Sequence, residues 1–505
     1  MQSLTEPRQA AHWLRQQVRG TLQSDSRKVA QGDGFLAWPG AATDAREHVP
    51  AVLAQGAGAC LVEADGVDRY GFLDDRVAAY PELKAASGPI ASAFFQAPSR
   101  HIDVIAVTGT NGKTSTSWWL AQALSGLGSP HTRPCAVVGT LGIKSPLSSQ
   151  QGVESNGLTT PDPVVLQQNL QRFVQAGVKA CALEASSIGL AEHRLDGTHI
   201  HTAVFTNFTQ DHLDYHASME AYWQAKSALF AWPGLRCAVI NIDDEKGAQL
   251  ARQMAQKTPE LWTVSAQGKA RLMAQGIQET ANGLECQIIE AEQGLVLKTR
   301  LRGEYNISNL LCVIAAMRCL GVPLGPAVQA SASLAPVPGR LECIDLPAQP
   351  LVVVDYAHTP DALAKVLQSL RKTAESRQGR LWCVFGCGGE RDPIKRPLMG
   401  AVAAQHADVV VLTSDNPRGE KPEHIISQIL LGLEGHSEPQ VQMDRALAIA
   451  QTLEQAAAFD VVLIAGKGHE TEQLVAGQRH EFSDRLHAQQ ALDRRTAAIL
   501  EGAQS

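Results

Sequence analysis

VTGTNGKTSTSWWL, residues 107–120, begins at the end of the apolar run DVIAV and has the spacing of a phosphate-binding loop. Gly109 and Gly112 allow the backbone to turn its N–H groups towards an anion, and Lys113 begins a helix whose positive end faces the same point. Val107 stands where the common GxxxxGK[ST] pattern has its first glycine. The stretch therefore predicts a strand, a short GTNGKT loop and a helix, which together begin a nucleotide-binding α/β domain.

Composition limits the classes of protein to which the chain can belong. Its 505 residues are enough for several domains, because single cores rarely exceed roughly 250 residues. We find no run of ~20 apolar residues that would span a membrane and no apolar secretion signal, so we expect a cytoplasmic protein. The net charge of -7 argues against binding to nucleic acid, and ten cysteines without a CxxC pair favour reduced thiols.

Three regions follow one another along the chain, and we predict an α/β protein with three domains. Residues 1–100 contain short β-like runs with glycines and form a small N-terminal α/β domain. Residues 101–337 alternate apolar strands with helices, which predicts a central P-loop-type ATPase domain with a mainly parallel sheet. Residues 338–505 repeat the pattern and predict a Rossmann-like C-terminal domain.

Polar or glycine-rich residues follow the buried strands of the third region. The runs are LVVVDYAHTP, LWCVFGCGG, DVVVLTSDNP and DVVLIAGKG. Ligands of open α/β sheets bind outside the carboxyl ends of the strands. These loops therefore predict a second ligand-binding sheet, with the reaction in the crevice between it and the first.

Acidic and imidazole side chains follow two strands beside the phosphate loop. Glu184 ends the strand in LEASSIGL, and the segment after the next strand, FTNFTQDHLDYH, contains Asn207, Asp211, His212, Asp214 and His216. Any one of them alone is more often a helix cap or a core histidine. Taken together with the hydroxyl of Thr114, they favour a Mg²⁺ site, because Mg²⁺ prefers oxygen ligands.

An ordered set of motifs covers nearly the whole chain and resembles the Mur ligases of peptidoglycan synthesis, relatives of folylpolyglutamate synthetase. The motifs are GTNGKT, TTPDP (159–163), EASSIGL, TNFTQDHLDYH, GEYNISNLLCVIAA (303–316), PGRLE (338–342), DYAHTPDAL (355–363) and GKGHE (466–470). The resemblance is greatest to members that add meso-diaminopimelate to UDP-N-acetylmuramoyl-L-alanyl-D-glutamate. It implies an ATP-dependent, ADP-forming ligase that forms an acyl phosphate and needs no enzyme nucleophile.

The resemblance also implies a set of ATP contacts. The phosphate loop would contribute Gly109, Thr110, Asn111, Gly112, Lys113, Thr114 and Ser115, and the adenosine and phosphate contacts would come from Asn306, Asn309, Arg340, Asp355 and His358. Without the resemblance, Asn306 and Asn309 are equally well explained as residues that begin a helix. Tyr305 replaces an expected phenylalanine but keeps an aromatic face.

Two further groups of residues are implied for the other substrates. The UDP-sugar and its peptide would be bound by Ser26, Ala41, Ala42, Thr43, Thr159, Thr160, Ser186, Glu192 and Arg194. Diaminopimelate would be bound by Arg391, Asp415, Asn416, Pro417, Arg418, Gly466 and Glu470. Glu192 replaces an expected glutamine and Leu158 an expected asparagine.

The catalytic residues implied are Lys113, Glu184, His212 and Lys226. Thr114, Glu184 and His212 would bind Mg²⁺, with Lys226 as a fourth ligand after its amine has been carbamylated by CO₂. Composition alone makes Lys226 a surface lysine. We further expect a monomer that binds no nucleic acid and does not insert into a membrane.

Other functions remain open at this stage. A lysine-adding Mur ligase would share every ATP motif, and a folylpolyglutamate synthetase-like ligase would share many of them. A P-loop kinase or GTPase accounts for the first loop but not for the C-terminal loops. A non-catalytic nucleotide sensor would not need Glu184 and His212 together.

Overall fold

The computed structural model describes residues 1–40, 43–147, 153–154, 157–256, 260–280, 282–433 and 439–502. The chain divides into two compact units. Unit 1 comprises Met1–Asn207, Trp223–Met273 and Leu310–Ser331, and unit 2 comprises Phe208–Tyr222, Ala274–Asn309 and Ala332–Ser505. None of the helices in the described ranges is both long and apolar enough to cross a membrane.

The N-terminal part of unit 1 is a parallel sheet with helices. Its strands lie in the order β1-β5-β4-β3-β2. They are β1 (Gln2–Ser3), β2 (Leu22–Gln23), β3 (Gly34–Ala37), β4 (Ala59–Glu63) and β5 (Val77–Tyr80), with helices α1 (Pro7–Gln17), α2 (Val49–Ala54) and α3 (Leu83–Phe94). Strands β3 to β5 are almost entirely buried, as expected for parallel strands covered on both faces.

A second, mainly parallel sheet forms the rest of unit 1, in the order β12-β11-β10-β6-β9-β7-β8. Its strands are β6 (Asp103–Thr108), β7 (Cys135–Gly139), β8 (Gly142–Lys144), β9 (Ala180–Glu184), β10 (Thr202–Phe205), β11 (Cys237–Asn241) and β12 (Glu260–Ser265). Strand β8 is antiparallel to β7. The neighbours of β6 are β9 and β10, with Val107 opposite Glu184 and Thr108 opposite Phe205. The phosphate loop, Glu184 and the loop after β10 therefore meet at one edge of this sheet.

The helices of the central region lie between these strands, except for the last two, which follow later in the chain. They are α4 (Lys113–Ser125), α5 (Pro163–Gln175), α6 (Ser187–Ala191), α7 (Met219–Ser227), α8 (Glu245–Met254), α9 (Asn306–Cys319) and α10 (Leu324–Ala332). Asp162 caps α5 by accepting hydrogen bonds from the backbone of Val164 and Val165, and Pro163 follows at the first helical position. Helix α4 is buried along most of its length. It is thus held firmly behind the phosphate loop.

Unit 2 contains the C-terminal sheet, in the order β16-β17-β21-β18-β19-β20. Its strands are β16 (Glu342–Ile344), β17 (Leu351–Asp355), β18 (Leu381–Phe385), β19 (Val409–Leu412), β20 (Gln440–Val441) and β21 (Val461–Ala465), and only β16 is antiparallel among the described pairs. Helices α11 (Pro360–Ser376), α12 (Lys395–His406), α13 (Pro422–Leu430), α14 (Arg445–Gln455) and α15 (Asp484–Gly502) follow these strands. The loops after β17, β18, β19 and β21 leave the sheet at the same edge.

Further strands complete the two units. Strand β13 (Leu272–Thr280) begins parallel to β12 in unit 1 and continues into unit 2, where β14 (Gly283–Glu290) and β15 (Gln293–Thr299) form an antiparallel pair. Strands β22 (Glu472–Val475) and β23 (Gln478–Glu481) form a hairpin after the GKGHE loop.

The predicted α/β class with three sheet-containing parts is confirmed, whereas the boundaries at residues 100 and 337 stay predictions. The two-unit division assigns Phe208–Tyr222 and Ala274–Asn309, both within the predicted central domain, to unit 2. All ten cysteines are free of disulfide bonds, as expected for reduced thiols; Cys343 is exposed, Cys319 is partly buried and the others are buried.

Candidate active site

The phosphate loop in unit 1 is held by the segment that follows β10. The backbone N–H of Asn111 donates to Oδ1 of Asn207 (2.9 Å), and Nδ2 of Asn207 donates to the Asn111 carbonyl (3.0 Å). Gly109 has φ 144° and lies so close to Thr206 that an added Cβ would be 1.9 Å from its hydroxyl oxygen. Only glycine fits at position 109. Asn207 uses its side chain to fix the shape of the phosphate loop rather than to contribute to a metal site.

Lys113 folds back over the loop that precedes it. Its Nζ donates to the carbonyl oxygens of Gly109 (2.9 Å) and Thr110 (2.8 Å). This places a positive charge above the backbone turn at the beginning of α4. Phosphate groups bound by the loop would meet both that charge and the positive end of the helix.

Glu184 is buried beside Thr114, with 1% of its surface exposed. Its Oε2 accepts hydrogen bonds from the hydroxyls of Thr114 (3.0 Å) and Thr140 (2.9 Å), and its Oε1 accepts one from the Thr140 backbone (2.9 Å). Gly139 leaves room for the carboxylate, since an added Cβ would be 2.1 Å from Oε1. The predicted pair Thr114 and Glu184 is brought together, and Thr140 joins it although the sequence had not singled it out.

Lys226 lies inside unit 1 with 1% of its surface exposed, so the surface position indicated by composition is wrong. Its Nζ donates to the carbonyl oxygen of Gly109 at 2.7 Å. The lysine therefore contacts the phosphate loop directly. Its proposed carbamylation stays a prediction.

The residues predicted for the peptide substrate form one hydrogen-bonded group beside Glu184. The hydroxyl of Thr160 donates to the Glu184 carbonyl (2.7 Å) and lies 3.0 Å from that of Ser186. Nη1 of Arg194 donates to the Thr160 carbonyl (3.0 Å), and Thr159 lies 3.1 Å from Thr140, oxygen to oxygen. The cluster connects a candidate substrate surface to the predicted catalytic carboxylate.

The other residues predicted for the UDP-substrate are less closely connected. Glu192 forms an ion pair with Lys84 (2.6 Å), and Leu158 is 43% exposed. Ser26 begins a short 3₁₀ helix and Thr43 is exposed, whereas Ala41 and Ala42 lie outside the described residues. The roles of these residues stay predictions.

Within unit 2, the ATP residues Arg340, Asp355 and His358 lie near one another. The Asp355 carboxylate accepts hydrogen bonds from the backbone of Leu341 and Ala357, each 2.7 Å long. Burial raises the pKa of Asp355. The charges of Arg340 and His358 and the two backbone hydrogen bonds act in the opposite direction but do not cancel this effect. The Arg340 guanidinium lies over a tyrosine ring, 4.2 Å from its centroid. Asn306 and Asn309 form a separate pair at the beginning of α9, joined by a 3.0 Å hydrogen bond.

The segment containing His212 contributes acidic groups to unit 2. Asp211 is buried, and its Oδ2 lies 3.5 Å from Nε2 of His212 and 3.7 Å from Nε2 of His358. Burial raises the Asp211 pKa, but the neighbouring His358, His212 and Lys395 hold it well below its usual value. Asp214 forms an ion pair with a different residue, Arg391. Asp211 and Asp214 are therefore paired with cationic side chains. Nothing in the sequence had indicated these pairings.

Two arginines predicted to bind diaminopimelate lie in neighbouring loops. Arg418 has φ 53°, and its Nη1 donates to the carbonyl of Gly389 (2.7 Å), two residues before Arg391. Nη1 of Arg391 lies 3.4 Å from Oδ2 of Asp214. Burial lowers the Arg418 pKa, and the charge of Arg391 lowers it further. A Cβ added to Gly388 would lie 2.9 Å from Nη1 of Arg418 and 3.6 Å from Cγ of Arg391, so the two side chains flank the same glycine. A carboxylate is the natural ligand of such a pair.

The remaining acceptor residues form a network around Lys467. Lys467 is fully buried, and its Nζ donates to Oε2 of Glu470 (2.8 Å) and Oδ1 of Asn416 (3.0 Å). Nδ2 of Asn416 also donates to Glu470 (2.8 Å). An added Cβ on Gly466 would be 2.5 Å from Asp415, so glycine is required there. Sequence reasoning missed Lys467, although it lies inside the quoted GKGHE motif.

Among the residues that the structure describes, no three His, Cys, Asp or Glu side chains form a group that could hold a metal ion. The predicted Mg²⁺ ligands are Thr114, Glu184, His212 and a carbamylated Lys226. Thr114, Glu184 and Lys226 lie in unit 1 and His212 lies in unit 2, and this ligand set stays a prediction. The short distance between the Thr114 hydroxyl and the Glu184 carboxylate fits a ligand set of oxygens.

Family profiles match both units. The profile described as "Mur ligase middle domain" matches residues 107–317, and that described as "Mur ligase, glutamate ligase domain" matches residues 339–468. The chain belongs to the Mur ligase family. The resemblance carried by the ordered motifs is thereby confirmed.

Individual Mur ligases match almost the whole chain. A protein of Acidovorax sp. strain JS42, named UDP-N-acetylmuramoyl-L-alanyl-D-glutamate–2,6-diaminopimelate ligase, is 58% identical over 98% of this chain and 99% of its own. One of the same name from Pseudomonas aeruginosa is 45% identical over 93% of this chain and 94% of its own. A solved structure bearing that name is 35% identical, has a TM-score of 0.64 and covers 94% of this chain and 95% of its own.

Proposed function

We propose that the protein is an ATP-dependent, ADP-forming ligase that joins 2,6-diaminopimelate to UDP-N-acetylmuramoyl-L-alanyl-D-glutamate in peptidoglycan precursor synthesis. The observation that carries the proposal is the acceptor site of unit 2, where the side chains of Arg391 and Arg418 flank Gly388, and Asn416 and Lys467 orient Glu470. The relatives named for this reaction, one of them 58% identical, support the same assignment.

The reaction requires ATP because a carboxylate has no good leaving group. An oxygen of the glutamyl γ-carboxylate attacks the γ-phosphorus of ATP, the bond to the β-phosphate oxygen breaks, and ADP and an acyl phosphate form. The neutral amine of diaminopimelate then attacks the carbonyl carbon, loses a proton and expels phosphate. Lys113 offsets charge on the phosphoryl oxygens in the first step, where two anions meet.

Mg²⁺ is the cation proposed for the phosphate loop, where Thr114, Glu184 and carbamylated Lys226 would hold it. His212 belongs to unit 2, and its part in binding Mg²⁺ stays a prediction. When bound, it would offset negative charge on the phosphate oxygens. Hydrogen bonds from the backbone and hydroxyl of Thr140 orient Glu184 for that role. Carbamylation would convert Lys226 from a cation into an anionic oxygen ligand.

Diaminopimelate has one carboxylate more than lysine, and recognition of the amino acid depends on that additional group. Arg391 and Arg418 bind carboxylates, and Glu470 pairs with the ammonium group at the far end. Lysine would leave Arg418 without its anion, a penalty on the order of several kcal/mol. The expected preference for meso-diaminopimelate over lysine is therefore on the order of a thousandfold.

Steady-state kinetics of Arg418→Ala test this assignment. We expect the KM for diaminopimelate to rise on the order of a hundredfold or more, with little change in the KM values for ATP and the UDP-dipeptide. Arg479→Ala is the matched control, because the Arg479 side chain is 73% exposed and forms its ion pair with Glu472 rather than with a proposed acceptor residue. An unchanged KM for diaminopimelate in Arg418→Ala would show that the loop containing Arg418 is not part of the acceptor site. A lysine-adding ligase is the remaining alternative, and the cytoplasmic, monomeric state stays a prediction.

A further inference from the structure

A cavity of about 390 Å³ opens at the edge of the central sheet opposite the phosphate loop. Its lining includes Asp103, at the beginning of β6, and His201, immediately before β10. The phosphate loop follows the other end of β6, and Thr206 and Asn207 follow the other end of β10. Six strand residues of ~3.3 Å each separate the two edges along β6, so the cavity is distinct from the nucleotide site.

The lining of this cavity is strongly basic, although the chain as a whole carries a net charge of -7. Four permanent cations face it with a single carboxylate, Asp103: Arg100, Arg133, Lys179 and Arg236. Three histidines, His101, His199 and His201, add further donors. Such a concentration of like charge in a concave site raises the local concentration of anions.

Most of this charge is available to a ligand. Arg133 forms an ion pair with Asp103. The side chains of Arg100, Lys179 and Arg236 form no ion pair or hydrogen bond within the described part of the chain. The cations are therefore held near one another by the backbone, and mutual repulsion opposes that arrangement in the absence of an anion.

His201 lines the same cavity as these cations, and their charges act on its imidazole. Burial lowers the pKa of His201, against the opposing charge of Asp103. The charges of Arg236, His199 and Arg133 lower it further. An anion in the cavity would reverse these repulsive effects, since it interacts favourably with every cationic group present.

We propose that this cavity binds a soluble small molecule with clustered phosphate groups, at a site separate from the nucleotide site. The volume lies within the range of roughly 300–1,000 Å³ that is usual for small-molecule sites. Apart from Ile102 and Thr132 its lining is charged or imidazole, which favours the phosphate groups of a ligand rather than an apolar ring. Arginine and lysine are the side chains best suited to phosphate.

Isothermal titration calorimetry with inorganic tripolyphosphate tests the proposal. The full chain is titrated without Mg²⁺ and with excess ADP, so that the nucleotide site is occupied. We expect saturable binding of one tripolyphosphate per chain, which weakens as salt is raised from about 50 mM to about 300 mM. The triple variant Arg100→Gln, Lys179→Gln, Arg236→Gln should bind at least tenfold more weakly while its ADP affinity remains unchanged.

A matched triple variant controls for net charge. Arg8→Gln, Arg252→Gln and Lys269→Gln remove the same charge from exposed positions elsewhere in unit 1. Tripolyphosphate affinity should be retained in this control. No saturable binding by the unmodified chain, or equal loss in both triple variants, would overturn the proposal. Binding to phosphatidylglycerol vesicles without binding to tripolyphosphate would also overturn it, because the ligand would then be a lipid surface.

Discussion

Arg445 and Asp484 form an ion pair in which both side chains are completely buried. Nε of Arg445 donates to Oδ1 of Asp484 (2.7 Å), and Nη2 donates to Oδ2 (2.8 Å). The same guanidinium donates to the carbonyl of Ala465 (2.9 Å) and, more weakly, to that of Ser414 (3.4 Å). These carbonyls immediately precede Gly466 and Asp415, so one buried pair holds both loops of the proposed acceptor site.

Loss of one partner of this pair should destabilise unit 2. Arg445→Met leaves the Asp484 charge buried without its partner, and we expect the free energy of unfolding to fall by about 3–5 kcal/mol in chemical denaturation. Arg445→Met combined with Asp484→Leu should be less harmful than Arg445→Met alone, since no unpaired charge remains. Arg479→Met, which removes an exposed ion pair, is the control. Equal stability of the Arg445→Met variant and the unmodified protein would show that the pair has no structural role.

Gly109→Ala should damage nucleotide use through the shape of the phosphate loop. The new Cβ would be 1.9 Å from the Thr206 hydroxyl, and φ 144° disfavours any side chain. We expect kcat/KM for ATP to fall on the order of a hundredfold, because a displacement near 1 Å is enough for such a loss. Gly128→Ala is the control, since its Cβ would meet no described atom within 4 Å. Similar kcat/KM values for the two variants would contradict the close approach of residue 109 to the Thr206 hydroxyl.

Replacement of Lys226 tests its proposed carbamylation. Lys226→Ala should nearly abolish phosphate release, and short carboxylates added to the assay should restore part of it, because they supply the missing anionic oxygens. In the unmodified protein, ¹³C-labelled bicarbonate should produce a carbamate signal that is absent from the variant. The exposed Lys269→Ala serves as control. Full activity of Lys226→Ala without added carboxylate would show that a carbamylated Lys226 is not required.

Glu420 should make stability depend on pH in the acidic range. Both Nη atoms of the buried Arg396 donate to its carboxylate at 2.9 Å, and these bonds lower the Glu420 pKa to about 2 from 4.5. A carboxyl with a lowered folded-state pKa stabilises the protein fully above its unfolded pKa and loses that contribution as pH falls towards 2. Glu420→Gln should therefore cost on the order of 1–3 kcal/mol at pH 7 and less at pH 3. Denaturant melts that show a constant difference across this range would contradict the ion pair.

Much of the fold could be predicted because buried parallel strands are continuous apolar runs. DVIAV, LVVVD and DVVLIA became β6, β17 and β21, each followed by the expected loop. Strands β13 to β15 were missed because their buried residues are interrupted by exposed ones. The helix α3 was missed because its sequence contains Pro89 and three glycine or serine positions, Ser87, Gly88 and Ser92, that weaken the helical signal.

The candidate site was predictable where residues are close in sequence or follow neighbouring strands. Thr114 and Glu184 lie close together because the strands that precede their loops, β6 and β9, are adjacent in the sheet. Thr140, Lys467 and Arg445 were missed, because their roles depend on hydrogen bonds between residues far apart in the chain. A sequence reveals strand ends, but a buried lysine or arginine is indistinguishable from an exposed one until its partners are known.

The central claim is that the protein uses the second carboxylate of diaminopimelate to select its substrate. The most direct measurement is ATP-dependent phosphate release by the unmodified chain with the UDP-dipeptide and, separately, meso-diaminopimelate or L-lysine. The proposed contacts of Arg391 and Arg418 predict kcat/KM on the order of a thousandfold higher for meso-diaminopimelate. Equal efficiency with L-lysine would contradict the acceptor assignment, and no amino-acid-dependent release with either compound would contradict the ligase function itself.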